Sequence, residues 1–382
     1  MSAALQDTGV GAHETDRIAA IEALGPRIAM RGAACDSADM FVQENYLDLQ
    51  KIGAFTAYIP AQLGGGGASY EETADMLRRL AHHCGSTALA LAMHTHLIAA
   101  LVFRWQRDPQ AVEGFLRRVV NENLVLVSTG ASDWLKGQGT AERVDGGWRV
   151  SGRKIFGSSA PMGDFLVTSA VWNDPDAGPT VLHFPLAMKQ DGIKVLDTWH
   201  TMAMRGTGSH DVTIDNVFVP EAAVAARRPQ GNWHMALHLA TKVAFPLVYS
   251  VYVGIAEAAR DIAVAQARKR TADDLLCCLV GEMEDDLATA QLARNHIVSL
   301  GAAADPGPET TNRVMIGRMI AGQAAMRTVS KAMDVVGGGA LYTDLGLERR
   351  FRDIQGARYH PLQEKAQQRF AGRAALGLPI DG

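Results

Sequence analysis

Apolar residues fall three or four positions apart at Ile18, Ile21, Leu24 and Ile28, and a second set, Phe41, Tyr46, Leu47, Leu49 and Ile52, precedes Gly53. The period of a helix puts each set on one face, so two amphipathic helices are predicted. After a short apolar piece over 54–60, Gly64-Gly65-Gly66-Gly67 interrupts the pattern until Ser69. A phosphate-cradling loop needs a preceding strand, a lysine and a Ser or Thr in register. None is so placed, and the run reads as a plain loop. Residues 69–120 are rich in Ala and Leu at helical spacing and predict two or three further helices. Within them His94 and His96 face different sides of a helix, which suits packing or a polar pocket and not a shared metal ion. Residues 13–120 are expected to be all helical.

Near Leu124 the pattern changes to short strand-like runs. They cover 124–127, 143–150, 154–156, 165–171, 181–185, 193–196 and 212–219, separated by Gly, Asp and Pro, as in a compact β domain. Asp145-Gly146-Gly147 is a hairpin turn. The last run follows a turn-rich loop, Arg205-Gly206-Thr207-Gly208-Ser209, whose glycines allow close backbone approach and whose hydroxyls offer donors. Pro220 ends that strand, and helical spacing returns over 237–267, where Pro246 marks a kink or a start, and over 282–300. A third helix, 310–336, is stopped by Gly337-Gly338-Gly339, and a last one is expected over 361–376. The order α, β, α gives three expected domains, 1–122, 123–222 and 223–382.

A net charge of −4 with 20% charged residues suggests no polyanion-binding surface, so nucleic acid is not an expected partner. Cys35, Cys84, Cys277 and Cys278 show no Cys-x-x-Cys spacing, and adjacent cysteines pair poorly, which favours a reduced, cytoplasmic setting. The N-terminal residues lack a basic segment followed by an apolar core, and no apolar run of membrane-spanning length is read elsewhere, so no membrane is expected.

Four segments fall in the order of the acyl-CoA dehydrogenase superfamily, and the resemblance covers nearly the whole chain. They are Val127-Ser128-Thr129 through Ser132-Asp133, then Gly152-Arg153-Lys154-Ile155-Phe156-Gly157-Ser158-Ser159, then the loop at Arg205, and finally Gly337-Gly338 with Leu347-Glu348-Arg349 and Arg352-Asp353. The resemblance implies an α+β fold with an N-terminal α-helical domain, a small central β-barrel or sandwich, and a C-terminal four-helix bundle. It implies FAD between the β domain and the bundle, with part of the nucleotide contacted by a second subunit, hence a homodimer or homotetramer. Ser128, with Thr129 beside it, would donate to the polar edge of the flavin ring. Phe156 would pack on the ring and Ser158 would supply a further hydroxyl. Gly337 and Gly338 would admit the pyrophosphate or adenosine, and Arg268 or Arg270 would cross the dimer interface. Ser132, Arg205 and Ser209 are the implied substrate contacts, and no metal is expected.

Two chemistries compete. Acyl-CoA dehydrogenation needs a carboxylate to take the α proton of a thioester while hydride passes to the flavin. Counted from Arg352-Asp353, the family's usual glutamate falls on Pro361, and its alternative position falls near Ala244. Glu364, one helical turn beyond Pro361, is the available base. The run Arg352-Asp353-x-x-x-Ala357-x-x-His360 is instead similar to the superfamily's flavin-dependent monooxygenases, where an imidazole by the flavin can hydrogen-bond an oxygenated flavin or a substrate phenolate. The expectation is FAD-dependent α,β-dehydrogenation of an acyl-CoA, passing electrons to an electron-transfer flavoprotein. The alternative is a two-component monooxygenase acting on an aromatic or heteroatom compound, with His360 at the site, FMN as its flavin, and a separate flavin reductase. A third reading is a catalytically silent flavin-binding scaffold.

Overall fold

The computed structural model describes residues 10–129 and 134–381. The N-terminal region is helical: α1 (Val10–Ala38), α2 (Gln43–Lys51), α3 (Tyr70–His83), α4 (Gly85–Trp105) and α5 (Pro109–Glu122). Ser69 starts α3 through a reciprocal cap, its hydroxyl accepting from the Glu72 N–H while the Glu72 carboxylate accepts from the Ser69 N–H.

The strands are β1 (Leu126–Ser128), β2 (Thr140–Val144), β3 (Gly147–Gly157), β4 (Phe165–Asp174), β5 (Gly178–Ala187), β6 (Ile193–Val195), β7 (His210–Pro220) and β8 (Ala226–Pro229). They form one mixed sheet in the order β6-β7-β3-β2-β4-β5-β8, with β1 parallel to β4. The runs expected separately at 143–150 and 154–156 are joined by the β2–β3 hairpin and the long β3, which stays paired to β7 through two register irregularities. β8 was not expected from its sequence, Ala-Arg-Arg-Pro; it pairs with β5 at the sheet edge, where a proline is tolerated. Trp148, Val150, Leu166, Leu182, Phe184, Val212 and Val219 are buried in the core of the sheet.

The C-terminal region holds α6 (Met235–Ala267), α7 (Asp274–Ala303), α8 (Pro308–Val336), the short α9 (Leu347–Asp353) and α10 (Glu364–Ala375). α6 continues through Pro246, and α7 begins eight residues earlier than the apolar spacing indicates. α6 packs against α3, α4, α7 and α8 and is buried along most of its length. Each large apolar side chain so buried contributes roughly 1.5–3 kcal/mol. At its crossing with α3 a Cβ on Gly254 would lie 2.1 Å from the Arg78 carbonyl oxygen, so only glycine fits. α4 and α6 each contain a window apolar and long enough to cross a membrane, contrary to the sequence reading, yet 72% and 89% of those windows are buried within the fold. They are core helices of this structure.

Candidate active site

β1 runs beside α4, and this brings the two histidines of α4 against the start of the sheet. His94 is tied at both nitrogens: Nε2 lies 3.0 Å from the Phe55 carbonyl and Nδ1 accepts from the Leu126 N–H at 3.0 Å. It is a cross-tie between α4, the short turn after α2 and β1. His96 places Nδ1 3.2 Å from the Ala92 carbonyl and Nε2 3.2 Å from the Ser128 hydroxyl. A carbonyl only accepts, so Nδ1 carries the proton and Nε2 accepts from Ser128. Burial of both rings pushes their pKa values down to about 4. Thr129, next along, donates to Thr168 on β4 at 2.9 Å.

Phe156, near the end of β3, has φ +60° and is 44% exposed, with its ring edge-on to Trp199 at 6.0 Å. Just beyond it the Ser158 and Ser209 hydroxyls lie 2.7 Å apart, and Ser209 lies 2.7 Å from Thr207, which donates to the Met204 carbonyl. Ser159 lies 2.5 Å from the hydroxyl of Tyr46 on α2. The structure thus brings Ser158 and Ser209 together in one buried hydroxyl chain. Arg205 turns back to the carbonyls of Thr201 and Asp36. The loop at 199–208 is anchored from α9: Asp353 accepts from the Met204 N–H at 2.6 Å, and Arg352 reaches the Met202 carbonyl at 2.8 Å and the Asp36 carboxylate at 2.6 Å. Burial raises the Asp353 pKa to about 6, against the pull of the Met204 hydrogen bond.

After α9 the chain turns to His360, whose Nε2 is 2.6 Å from the hydroxyl of Tyr252 on α6. Arg318 on α8 donates to the Tyr249 hydroxyl at 2.7 Å, to the His360 carbonyl at 3.3 Å and to the Leu362 carbonyl. Burial, then repulsion from the Arg318 guanidinium and from His96, takes the His360 imidazole down to about 3, so it is neutral at ordinary pH. Glu364 opens α10 with its side chain 47% exposed, accepting from Gln368. It lines a cleft of about 260 Å³ together with Tyr249, Arg318, Gly322, Gln355 and Arg358. Pro361, which occupies the place expected of a base, has no proton-accepting side chain.

Gly337, at φ +71°, and Gly338 stand at the exposed end of α8, and a Cβ on either would meet nothing within 4 Å. Arg268 is exposed at the end of α6, whereas Arg270 donates to the Val335 carbonyl at 2.8 Å and so touches the end of α8. Ser132 lies outside the described residues. Sequence reasoning placed His96 no further than a packing or polar-pocket residue, and it missed Tyr249, Tyr252 and Arg318. The signal available for the tyrosines was only their spacing of three on a helix, which many core residues share.

The sequence matches the descriptions Acyl-CoA dehydrogenase, N-terminal domain over residues 13–121, middle domain over 128–217 and C-terminal domain over 247–364. This chain belongs to the acyl-CoA dehydrogenase family. It is an oxidoreductase of the flavoprotein class. The family member is 30% identical to the amino sugar nitrososynthase RubN8 of Streptomyces rubradiris, across 93% of this chain and 88% of that one. It is 29% identical to the putative acyl-CoA dehydrogenase YdbM of Bacillus subtilis (strain 168), across 87% and 89%. The solved structure of KijD3 in complex with FMN and dTDP-3-amino-2,3,6-trideoxy-4-keto-3-methyl-D-glucose superposes with a TM-score of 0.87 at 29% identity, covering 97% of this chain and 95% of that one.

Proposed function

We propose that this protein is the oxygenase component of a two-component flavin-dependent monooxygenase acting on a small molecule. The observation that carries the reading is the pairing of a partly buried, neutral His360 with a base position occupied by Pro361. Glu364 lies in the first turn of α10, hydrogen-bonded to Gln368 and facing water, which is where a helix N-terminus favours a carboxylate in any case. The similarity to RubN8 and KijD3 supports the same reading and makes an amine nitrogen the first substrate atom to test.

The residues present fit a flavin. Phe156 leaves an aromatic face open to solvent beside Trp199, and the open backbone at Gly337 and Gly338 can be approached closely by a nucleotide. FMN and FAD both suit this description. A reduced flavin supplies two electrons and an oxygen-activating ring. The chain's own part is to present the exposed Phe156 ring and to hold His96 and His360 uncharged. One atom of O2 enters the substrate and the other leaves as water, with the electrons delivered by a separate reductase. Protein supplied with a flavin reductase, FMN or FAD, and 18O2 is expected to convert a member of an amine panel, led by amino sugar nucleotides, to a product carrying 18O. His360→Gln should abolish that labelling; full labelling in the variant would remove His360 from the site.

A further inference from the structure

Tyr252 lies on α6, 108 residues before His360, and its hydroxyl is 2.6 Å from His360 Nε2. Its side chain is fully buried. Among the described residues this is the hydroxyl's one hydrogen bond, and the other ring nitrogen of His360 has no hydrogen-bond partner. We propose that Tyr252 is a positioning residue that fixes the tautomer of His360, leaving Nδ1–H as the ring's free hydrogen-bond donor.

A phenol O–H buried away from water needs an acceptor, and His360 Nε2 is the acceptor within reach. Were Nε2 protonated, it would donate to the Tyr252 oxygen and the phenolic proton would be stranded. With Nε2 unprotonated, the hydroxyl donates to it and the ring proton resides on Nδ1. The imidazole is held neutral by burial and by the Arg318 guanidinium, so both nitrogens cannot be protonated together. The backbone is shaped for this contact, because a Cβ on Gly356 would lie 2.7 Å from the Tyr252 hydroxyl oxygen. His360 therefore offers a donor rather than a lone pair. A donor suits stabilisation of oxygen-centred negative charge, and it does not suit abstraction of a proton from carbon.

The inference rests on the reading of His360 as a site residue, and its test is independent of turnover. Long-range 1H–15N correlation spectra of the ligand-free protein labelled with 15N-histidine, with His360 assigned through His360→Gln, report the tautomer directly. The wild-type ring is expected to be more than about tenfold in favour of Nδ1–H, and Tyr252→Phe to lose that preference and raise the histidine pKa. A wild-type ring protonated on Nε2 overturns the proposal without any variant. So does an unchanged tautomer in a folded Tyr252→Phe protein. If that variant does not fold, Gly356→Ala displaces the hydroxyl and should give the same change, and its absence counts against the proposal. Should His360→Gln leave turnover intact while the tautomer is as stated, the functional reading fails and the tautomer assignment stands.

Discussion

The imidazoles of His96 and His360 are kept neutral, even with the buried Arg318 guanidinium beside His360, whereas on α9 the buried Asp353 and the half-buried Arg352 lie near Asp36 of α1 as a set of ionisable groups. The first set is satisfied by hydroxyls and carbonyls: Ser128, Tyr252 and the Ala92 carbonyl. The second uses carboxylate–guanidinium contacts and one carboxylate-to-backbone bond to fasten the loop at 199–208. Charges bring strong, directional anchoring at a large desolvation cost, which is tolerable where the task is to hold a loop still. Neutral donors and acceptors can instead meet an incoming ligand without a counter-ion or a water shell to shed. The division predicts which residues matter for turnover and which for stability.

The largest effect is expected from His360→Gln, which should lower turnover by about 10²-fold or more while changing stability little. Steady-state kinetics beside a urea melt would separate the two, and a large loss of stability with normal turnover would reverse the division. Asp353→Ala should do the opposite. It strands the buried Met204 N–H, so about 1–3 kcal/mol of unfolding free energy should be lost in a urea titration.

Acid should act on the two sets with opposite sign. His94, His96 and His360 have pKa values lowered to about 4, 4 and 3, so below their ordinary value near 6.5 the unfolded chain binds protons that the folded chain does not. Their contribution is complete above about pH 6.5 and is lost as pH falls toward 4 and 3. Asp353, raised to about 6, binds its proton first in the folded state and offsets part of that loss between about 6 and 4. Asp353→Asn should therefore steepen the fall in melting temperature on acidification over that range. An unchanged slope would mean that Asp353 has an ordinary pKa.

Local chemistry made much of the fold legible in the sequence. Ser69 with Glu72, Asp145-Gly146-Gly147 and Gly337 each impose a start, a turn or a stop on their neighbours, and the elements change there. The errors lie where distant packing outweighs local preference. β8 forms because β5 leaves an edge to pair with. The site follows the same rule. His360 was recognisable from the residues beside it, but Tyr252, Arg318 and Ser128's partner His96 become neighbours only when α4, α6 and α8 pack together, so their roles had no local signature.

The smallest effect is expected at Glu364, whose replacement by Gln should leave turnover within about twofold, as for a solvated surface carboxylate. The dehydrogenase alternative requires the reverse. It is tested most directly by loading the protein with oxidised FAD, excluding oxygen, and following the flavin absorbance while acyl-CoAs of varied chain length are added. The account predicts no bleaching with any of them. Bleaching that disappears in Glu364→Gln would show a working carboxylate base and contradict it.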